Sequence, residues 1–587
     1  MTDMLKHLTI LLSLVLTVPC MGQSAIVGTT TNPLRSNSDQ AEILDKIFKS
    51  YDIYTMDISK DDILIDSNNS RLNLELGQRK FDLNLYPQNL AVSLKSNKEL
   101  PHLLGGSLAS GGSVSLTIND DFIYGYIKSN ESNIFIEPLH YFMPDADKNL
   151  YIVYNVNQVR EDKYHTCGAS ETHEKEQEFS PLRSITECKV IKLGIANTYD
   201  MITKYTNVTG VTNHNLGVLN NVQTNYRSEF DKNIEFDVVA HFFPTSSSQD
   251  PITPNTSSSD ANVMLSRFRD WAQGPGNAGG GNSGGATGGF GADYNMASLW
   301  TDRNIQFGGN GGVVGLAYTP GWHNLLEDYT ASAPSLMSLV THEKGHNFGA
   351  SHDAANTNYI MAPSVTLTPN WSSVSQTDIN NRINGQTYLD NCSDLGAPTA
   401  NFFQEAIAVC SGSTVNFEDQ SEYGATRDWE FFGGSPTTST DEKPSATYNT
   451  SGMYAVKLTS YNSAGSDEYF GYVDIESAPP TPCTPSGGNG GTGGITLVSL
   501  ANLNYSSNTD GLYEDNACDN VASLESDTAY DLVVGVSGVT RLRYYIDYND
   551  DGDFDDAGEA SSLYSFSGNG NLGLTLTTPV SPITESI

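Results

Sequence analysis

One segment constrains this chain more than any other: Thr341-His342-Glu343-Lys344-Gly345-His346-Asn347-Phe348-Gly349-Ala350-Ser351-His352-Asp353, with Met361 eight residues beyond it. His342 and His346 are spaced i, i+4, so on a helix both imidazoles leave one face and can share a metal ion. Glu343 beside them is placed as a general base toward water rather than as a ligand. Gly349, three residues after His346, can take positive φ, stop the helix and reverse the chain. That turn returns His352 as a third ligand. Three protein ligands leave the fourth tetrahedral position open, which distinguishes catalytic zinc from a closed structural site. A bare HExxH arises by chance in many proteins, whereas HExxHxxGxxHD fixes three further positions. Ser332 or Ser335 near Pro334 offers the helix a start, and apolar Leu336, Leu339 and Val340 precede the ligands.

These residues resemble the metzincin clan of zinc metallopeptidases, and within it the adamalysin or reprolysin-like branch, marked by Asp353 directly after the third histidine. Met361 in Asn358-Tyr359-Ile360-Met361-Ala362-Pro363 is similar to the clan's Met-turn, a hydrophobic base beneath the ligands. No tyrosine stands two residues after Met361, so no tyrosine ligand is expected. The resemblance extends through Ala292 to Thr301 and through Val314 to Tyr318. It implies that Gly315, Leu316, Ala317 and Tyr318 form the edge strand against which an extended substrate pairs its main chain. Trp371 to Ser375 resembles the family's specificity wall, and fits equally the N-cap of a last helix at Gln376 to Ile383.

A chain of 587 residues needs several cores. Lys6 and His7 precede an apolar run from Leu8 to Val18, too short to cross a bilayer, and read as a signal peptide over residues 1–22 cut near Gly22 or Ala25. A lipoprotein site at Cys20 is the alternative, which Pro19 fits poorly. No later run has transmembrane length, so the expectation is export, to the medium or the cell surface. The net charge of −38 argues against nucleic acid and anionic membranes as partners. Seven cysteines are too few for a disulfide scaffold. Cys188 with Cys392, and Cys483 with Cys518, are candidate bridges; Cys392 with Cys410 is an alternative.

Leu72, Leu74 and Leu76 alternate, Gly77-Gln78 intervene, and Phe81, Leu83 and Leu85 alternate again, which predicts a β-hairpin. Leu74 to Leu85 resembles a reprolysin prodomain, expected over 23–187. Near its end His165-Thr166-Cys167-Gly168 resembles a cysteine switch. The resemblance implies that the Cys167 thiolate takes the open zinc position in a latent precursor; an incidental or structural cysteine is the alternative. The metallopeptidase domain is expected over 188–395. It should carry strands at Lys189 to Ala196 and Ile234 to Phe243, and helices at Thr198 to Thr206 and Asn262 to Ala272. Gln273 to Gly291 is too glycine-rich for regular structure and reads as an inserted loop.

Short alternating strands follow. Ser413 to Ser421, Trp429-Glu430-Phe431 and Gly452 to Leu458 resemble a PKD domain, an Ig-like β-sandwich expected over 397–479. The usual Trp-x-Phe-Gly-Asp-Gly is altered here to Trp429-Glu430-Phe431-Phe432-Gly433-Gly434. A Pro/Gly linker at 480–495 leads to a β-rich module at 496–587 whose Tyr545 to Glu559 resembles the GEVED module of exported bacterial proteins. Asp547, Asn549, Asp551 and Asp553 around Gly552 match the first half of an EF-hand loop and are candidate calcium ligands. Gly558 stands where that loop needs its glutamate, so an acidic turn is the alternative. The GEVED signature itself is absent, and a C-terminally truncated fragment is one reading of that.

The resemblance therefore implies a multidomain fold: an α/β (α+β) metzincin catalytic domain, a β-rich prodomain, an Ig-like β-sandwich and a further β-rich module. It implies a secreted zinc-dependent endopeptidase made as a zymogen, acting on extended protein or peptide substrates, with Glu343 as the base. Zinc is the expected cofactor, with calcium beside it if the acidic loop binds. An extracellular matrix or cell-surface ligand is expected for the C-terminal modules. An adhesin with a vestigial peptidase domain is the reading from another class, and the intact Glu343 and histidines weigh against it. A zinc hydrolase of non-peptide substrates is a third, against which the edge strand weighs.

Overall fold

The computed structural model describes the chain except residues 1–23, 31–37, 60–69, 78, 89, 92, 95–99, 109–111, 130–131, 161–164, 169–187, 231–232, 254–257, 275–288, 310, 405–407, 477–493, 502, 507–528, 539–540, 547–558, 566–568 and 579–587. The expected signal peptide, the candidate calcium ligands Asp547, Asn549, Asp551 and Asp553, the candidate Cys483–Cys518 bridge and most of the glycine-rich stretch lie outside the described residues.

Alternating apolar residues in the first part of the chain close a barrel. Its strands are β1 (Ser24–Thr30), β2 (Asp52–Thr55), β3 (Ser70–Leu76), β4 (Arg79–Pro87), β5 (His102–Leu108), β6 (Ser113–Asn119), β7 (Phe122–Lys128), β8 (Asn133–Pro138) and β9 (Leu150–Asn155). They run in the order β1-β2-β9-β8-β7-β6-β5-β4-β3, with β1 closing parallel onto β3. Side chains on one parity, such as Leu72, Leu74, Leu83, Leu116 and Ile136, fill the interior. The predicted hairpin is β3 and β4, with Leu72 opposite Leu83 and Gly77 at φ 64° in the turn. Helix α1 (Ser38–Ile47) flanks the barrel.

The central body is a mixed sheet between helices. It contains β10 (Thr166–Cys167), β11 (Lys189–Asn197), α2 (Tyr199–Lys204), α3 (Val208–Glu229), β12 (Ile234–Phe242) and α4 (Ala261–Gln273). Then follow β13 (Met296–Thr301), β14 (Val313–Ala317), β15 (His323–Glu327), α5 (Ala333–Asn347), α6 (Ser373–Asn384) and β16 (Asp390–Asn391). The order is β10-β14-β15-β13-β11-β12, with β16 beside β11. Strand β14 is antiparallel to β15, and β10 runs parallel to β14. Strand parity again divides the layers: Met296 and Trp300 face α3 and α5, while Ala297 and Leu299 face α4.

The two expected strands and the two expected helices before the glycine-rich stretch are found with ends shifted by up to two residues. Helix α3 was not expected. Its polar sequence is buried on nearly all sides, against α5 and against the outer face of β5, β6 and β7. Cys188 and Cys392 are bonded, brought together where Lys189 of β11 pairs with Asn391 of β16. Cys410 belongs to a separate disulfide, so the Cys392–Cys410 alternative is corrected.

The barrel and central body form one compact unit, residues 1–398 with 423–425 and 462–465; the rest of the C-terminal part forms another. In that second unit, sheets of four and five strands enclose Phe417, Trp429, Phe431, Val456 and Leu458, the expected sandwich. A four-stranded antiparallel sheet is built from Gly494–Leu500, Leu503–Ser506, Ala529–Ser537 and Gly570–Thr577.

Candidate metal centre

Helix α5 starts after Ser332, with Pro334 in its first turn, and is buried throughout. Its Gly345 lies where a Cβ would come within 2.6 Å of the Met361 sulfur and 3.1 Å of the Trp371 ring. A side chain at 345 would therefore push against Met361 and Trp371, and glycine lets both pack directly against the helix beside His346. After α5 the chain turns at Gly349, whose φ of 94° favours glycine as the motif predicts. The turn is tied by Gly349 N–H to His346 O (2.8 Å) and Ala350 N–H to Gly345 O (3.0 Å). Asp353 fixes the returning segment from two sides. Its N–H donates to Met361 O at 2.8 Å, and its carboxylate accepts from Ser372 Oγ at 2.7 Å and from Ser375 Oγ at 3.4 Å. Ser372 in turn caps α6 by accepting from Ser375 N–H at 3.1 Å, so Trp371 to Ser375 does serve as the helix N-cap.

This scaffold brings together four of the residues singled out in the sequence. One ligand atom each from Cys167, His342, His346 and His352 lies within 4.8 Å of every other. His342 Nδ1 bonds to Ile360 O at 2.7 Å and His346 Nδ1 to Ala350 O at 2.8 Å. Those bonds put the proton on Nδ1 and leave the Nε2 lone pairs facing the centre. His342 Nε2 is buried with no partner, and His346 Nε2 stands 3.1 Å from His352 Nε2. The Nε2 atoms of His342 and His346, the first a buried orphan, converge with His352 Nε2 in a set that fits a zinc ion. Burial pushes the His342 imidazole well below its ordinary range and His346 down to about 3, with the neighbouring histidines adding to both shifts. Both are neutral, as ligands must be.

Glu343 points to the side of this centre. Burial pushes its carboxyl up to about 8, an effect that a hydrogen bond from the Cys167 thiol opposes. No nitrogen or oxygen partner reaches either of its oxygens. Strand β14 passes so close that a Cβ on Gly315 would meet Glu343 Oε1 at 2.3 Å. Gly315, Leu316 and Ala317 lie in β14, and Tyr318 follows it. The outer edge of β14 carries β10. Thr166 N–H donates to Gly312 O and Gly168 N–H to Gly315 O, each at 2.8 Å. On the other side Cys167 N–H donates to Pro363 O at 3.1 Å, and Val365 N–H to His165 O at 3.1 Å. The Cys167 segment is thus clamped as an extended strand between β14 and the loop after Met361.

Three supporting residues escaped the sequence reading. Asn347 closes α5 by donating to the carbonyls of Tyr318 and His323, both at 3.1 Å. Lys344, buried beneath the ligands, lies 5.4 Å over the Phe236 ring, and burial pushes its ammonium down to about 7. Glu137 of β8 accepts the Ala333 N–H at 3.0 Å, at the first turn of α5. Each is invisible to motif reading because its partner lies far away in the chain.

Residues 187–377 match metallo-peptidase family M12, and residues 396–475 match the PKD domain. Among solved structures, metalloproteinase-II from Bacteroides fragilis is similar at 10% identity over 54% of this chain and 92% of its own, with a TM-score of 0.34. Archaemetzincin from Methanopyrus kandleri is similar at 16% identity over 33% of this chain and 95% of its own, with a TM-score of 0.22.

Proposed function

From a chain that joins a family M12 metallopeptidase domain to a PKD domain, we propose a secreted zinc endopeptidase made as a latent precursor. The observation that supports this reading is the convergence of His342, His346, His352 and Cys167, with Glu343 beside them. Zinc held there would supply a Lewis acid for the scissile carbonyl and lower the pKa of water. The chain's own residues do the rest. Glu343, whose carboxylate burial makes more basic than a free one, takes a proton from water and returns it to the leaving amine. Gly315 lets β14 run against Glu343, so a peptide paired to that edge presents its backbone to the base. Cys167 occupies both the edge and the ligand position, and must leave before a substrate can enter.

The test is cleavage of a quenched protein substrate by the processed enzyme with and without a zinc chelator. Chelation should abolish turnover and added zinc restore it; turnover that ignores the chelator would remove the metal from the reaction.

The same reading gives the C-terminal module calcium at Asp547, Asn549, Asp551 and Asp553, on the strength of their spacing, and a matrix or cell-surface ligand to the C-terminal modules. Millimolar calcium should raise the melting transition that Asp547→Ala with Asp551→Ala leaves flat. An unmoved transition in the unmutated protein makes the loop an acidic turn.

A further inference from the structure

The barrel has two apolar surfaces. Its interior is a core of its own, whereas the outer parity of β7, β8 and β9 belongs to the core of the central body. Tyr124, Tyr126, Phe135 and Tyr154 pack in one cluster with Leu216 of α3 and Leu336 of α5. Beside this apolar contact runs a set of buried amide pairs. Asn220 donates to Leu104 O, Leu116 O and Thr117 Oγ1 at 3.0 to 3.2 Å, Ser115 Oγ bonds Asn221 Oδ1 at 2.8 Å, and Asn119 bonds Asn213 at 3.1 Å. Gly217 gives up its side chain to the Tyr124 ring, which a Cβ would meet at 2.9 Å. Finally, Glu137 of the barrel caps α5 through Ala333 N–H while also accepting from Tyr154 Oη. A continuous apolar core with several hydrogen bonds across the seam is the make-up of an obligate interface, not of a transient one.

We infer that the barrel is a permanent subunit of the metallopeptidase: once the chain is cut between Gly168 and Cys188, residues 24–160 remain seated on α3 and α5. Activation then consists of withdrawing the Cys167 strand, which the cut leaves anchored at one end only. The inference deepens the latent-precursor reading and depends on it only for the role of Cys167.

Glu137 gives the seat a pH dependence. The groups facing it are Tyr154 of β9, Tyr124 of β7, Tyr141 beyond β8, and the uncharged Ser332–Ala333 start of α5. Burial raises the carboxyl to about 8, so it is protonated while the barrel is seated and ionised below neutrality once released. A carboxyl raised on docking favours docking fully below its free value of about 4.5, and that preference is lost as pH rises through about 8.

The experiment uses the full chain with a specific protease site inserted between Gly168 and Cys188, cut and passed over a sizing column. The expected result is one species holding both fragments in equal amounts and cleaving a quenched substrate. The urea concentration that separates the two fragments should fall from pH 5 to pH 9, and Glu137→Gln, which keeps the acceptor, should flatten that fall. Fragments that separate at pH 5 overturn the inference, and a fall unchanged in Glu137→Gln overturns the part given to Glu137. Fragments that stay together but are silent, beside a silent Cys167→Ala precursor, strike the latent-precursor reading and leave the seat of the barrel standing.

Discussion

On the proposed mechanism, Glu343 is the residue whose replacement separates metal binding from turnover. It lies next to a candidate ligand without sharing its place: the candidate ligand atoms belong to the three histidines and Cys167, and the Glu343 oxygens are buried without nitrogen or oxygen partners. Glu343→Ala should therefore keep about one zinc per chain, while activity falls by about 10²- to 10⁴-fold, the usual worth of a general base. Metal analysis beside turnover decides it, and near wild-type activity would sink the assignment. The motif made this much legible because every feature of it is local. The i, i+4 pair, the turn at Gly349 and the acid after His352 act within a dozen residues. What the motif could not reveal is why Gly345 and Gly315 are glycines, since Met361 and Glu343, which exclude a Cβ there, approach from other segments.

Helix α3 is the element the sequence concealed. Asparagine and threonine are weak helix formers, and a helix buried on nearly all sides loses the 3.6-residue alternation that reveals a surface helix. Its helical state is instead fixed by partners in the barrel and in α5, which no local window contains. The barrel strands were the opposite case, because one-sided burial writes a period of two into Leu72 to Leu85. Asn220→Ala tests the account of α3, since it removes three contacts to β5 and β6. The unfolding transition of the first unit should lose about 1 to 3 kcal/mol, seen as a lower urea midpoint at unchanged slope. An unmoved midpoint would mean that the amide pairs fill space and add no stability.

For the whole molecule, the proposed latency is what joins the pieces. Cys167 reaches the histidines only because β10 is held from both sides, by β14 and by Pro363 to Val365. The intact precursor should be silent, and Cys167→Ala should be active or self-processing without treatment, with thiol reagents activating the unmutated protein. A silent Cys167→Ala precursor with full zinc occupancy would mean that the strand blocks the cleft by bulk. The Cys188–Cys392 bridge has a different reach. It makes residues 188–392 a covalent ring, so one backbone nick anywhere between 189 and 391 opens the ring without parting it. Such a nicked protein migrates as a single band until a reductant is added, whereas a cut before Cys188 yields two bands under denaturing conditions with or without one. Electrophoresis in the two conditions therefore distinguishes a cut before Cys188, which the latent-precursor reading expects, from a nick inside the ring, which leaves the ends of residues 188–392 joined.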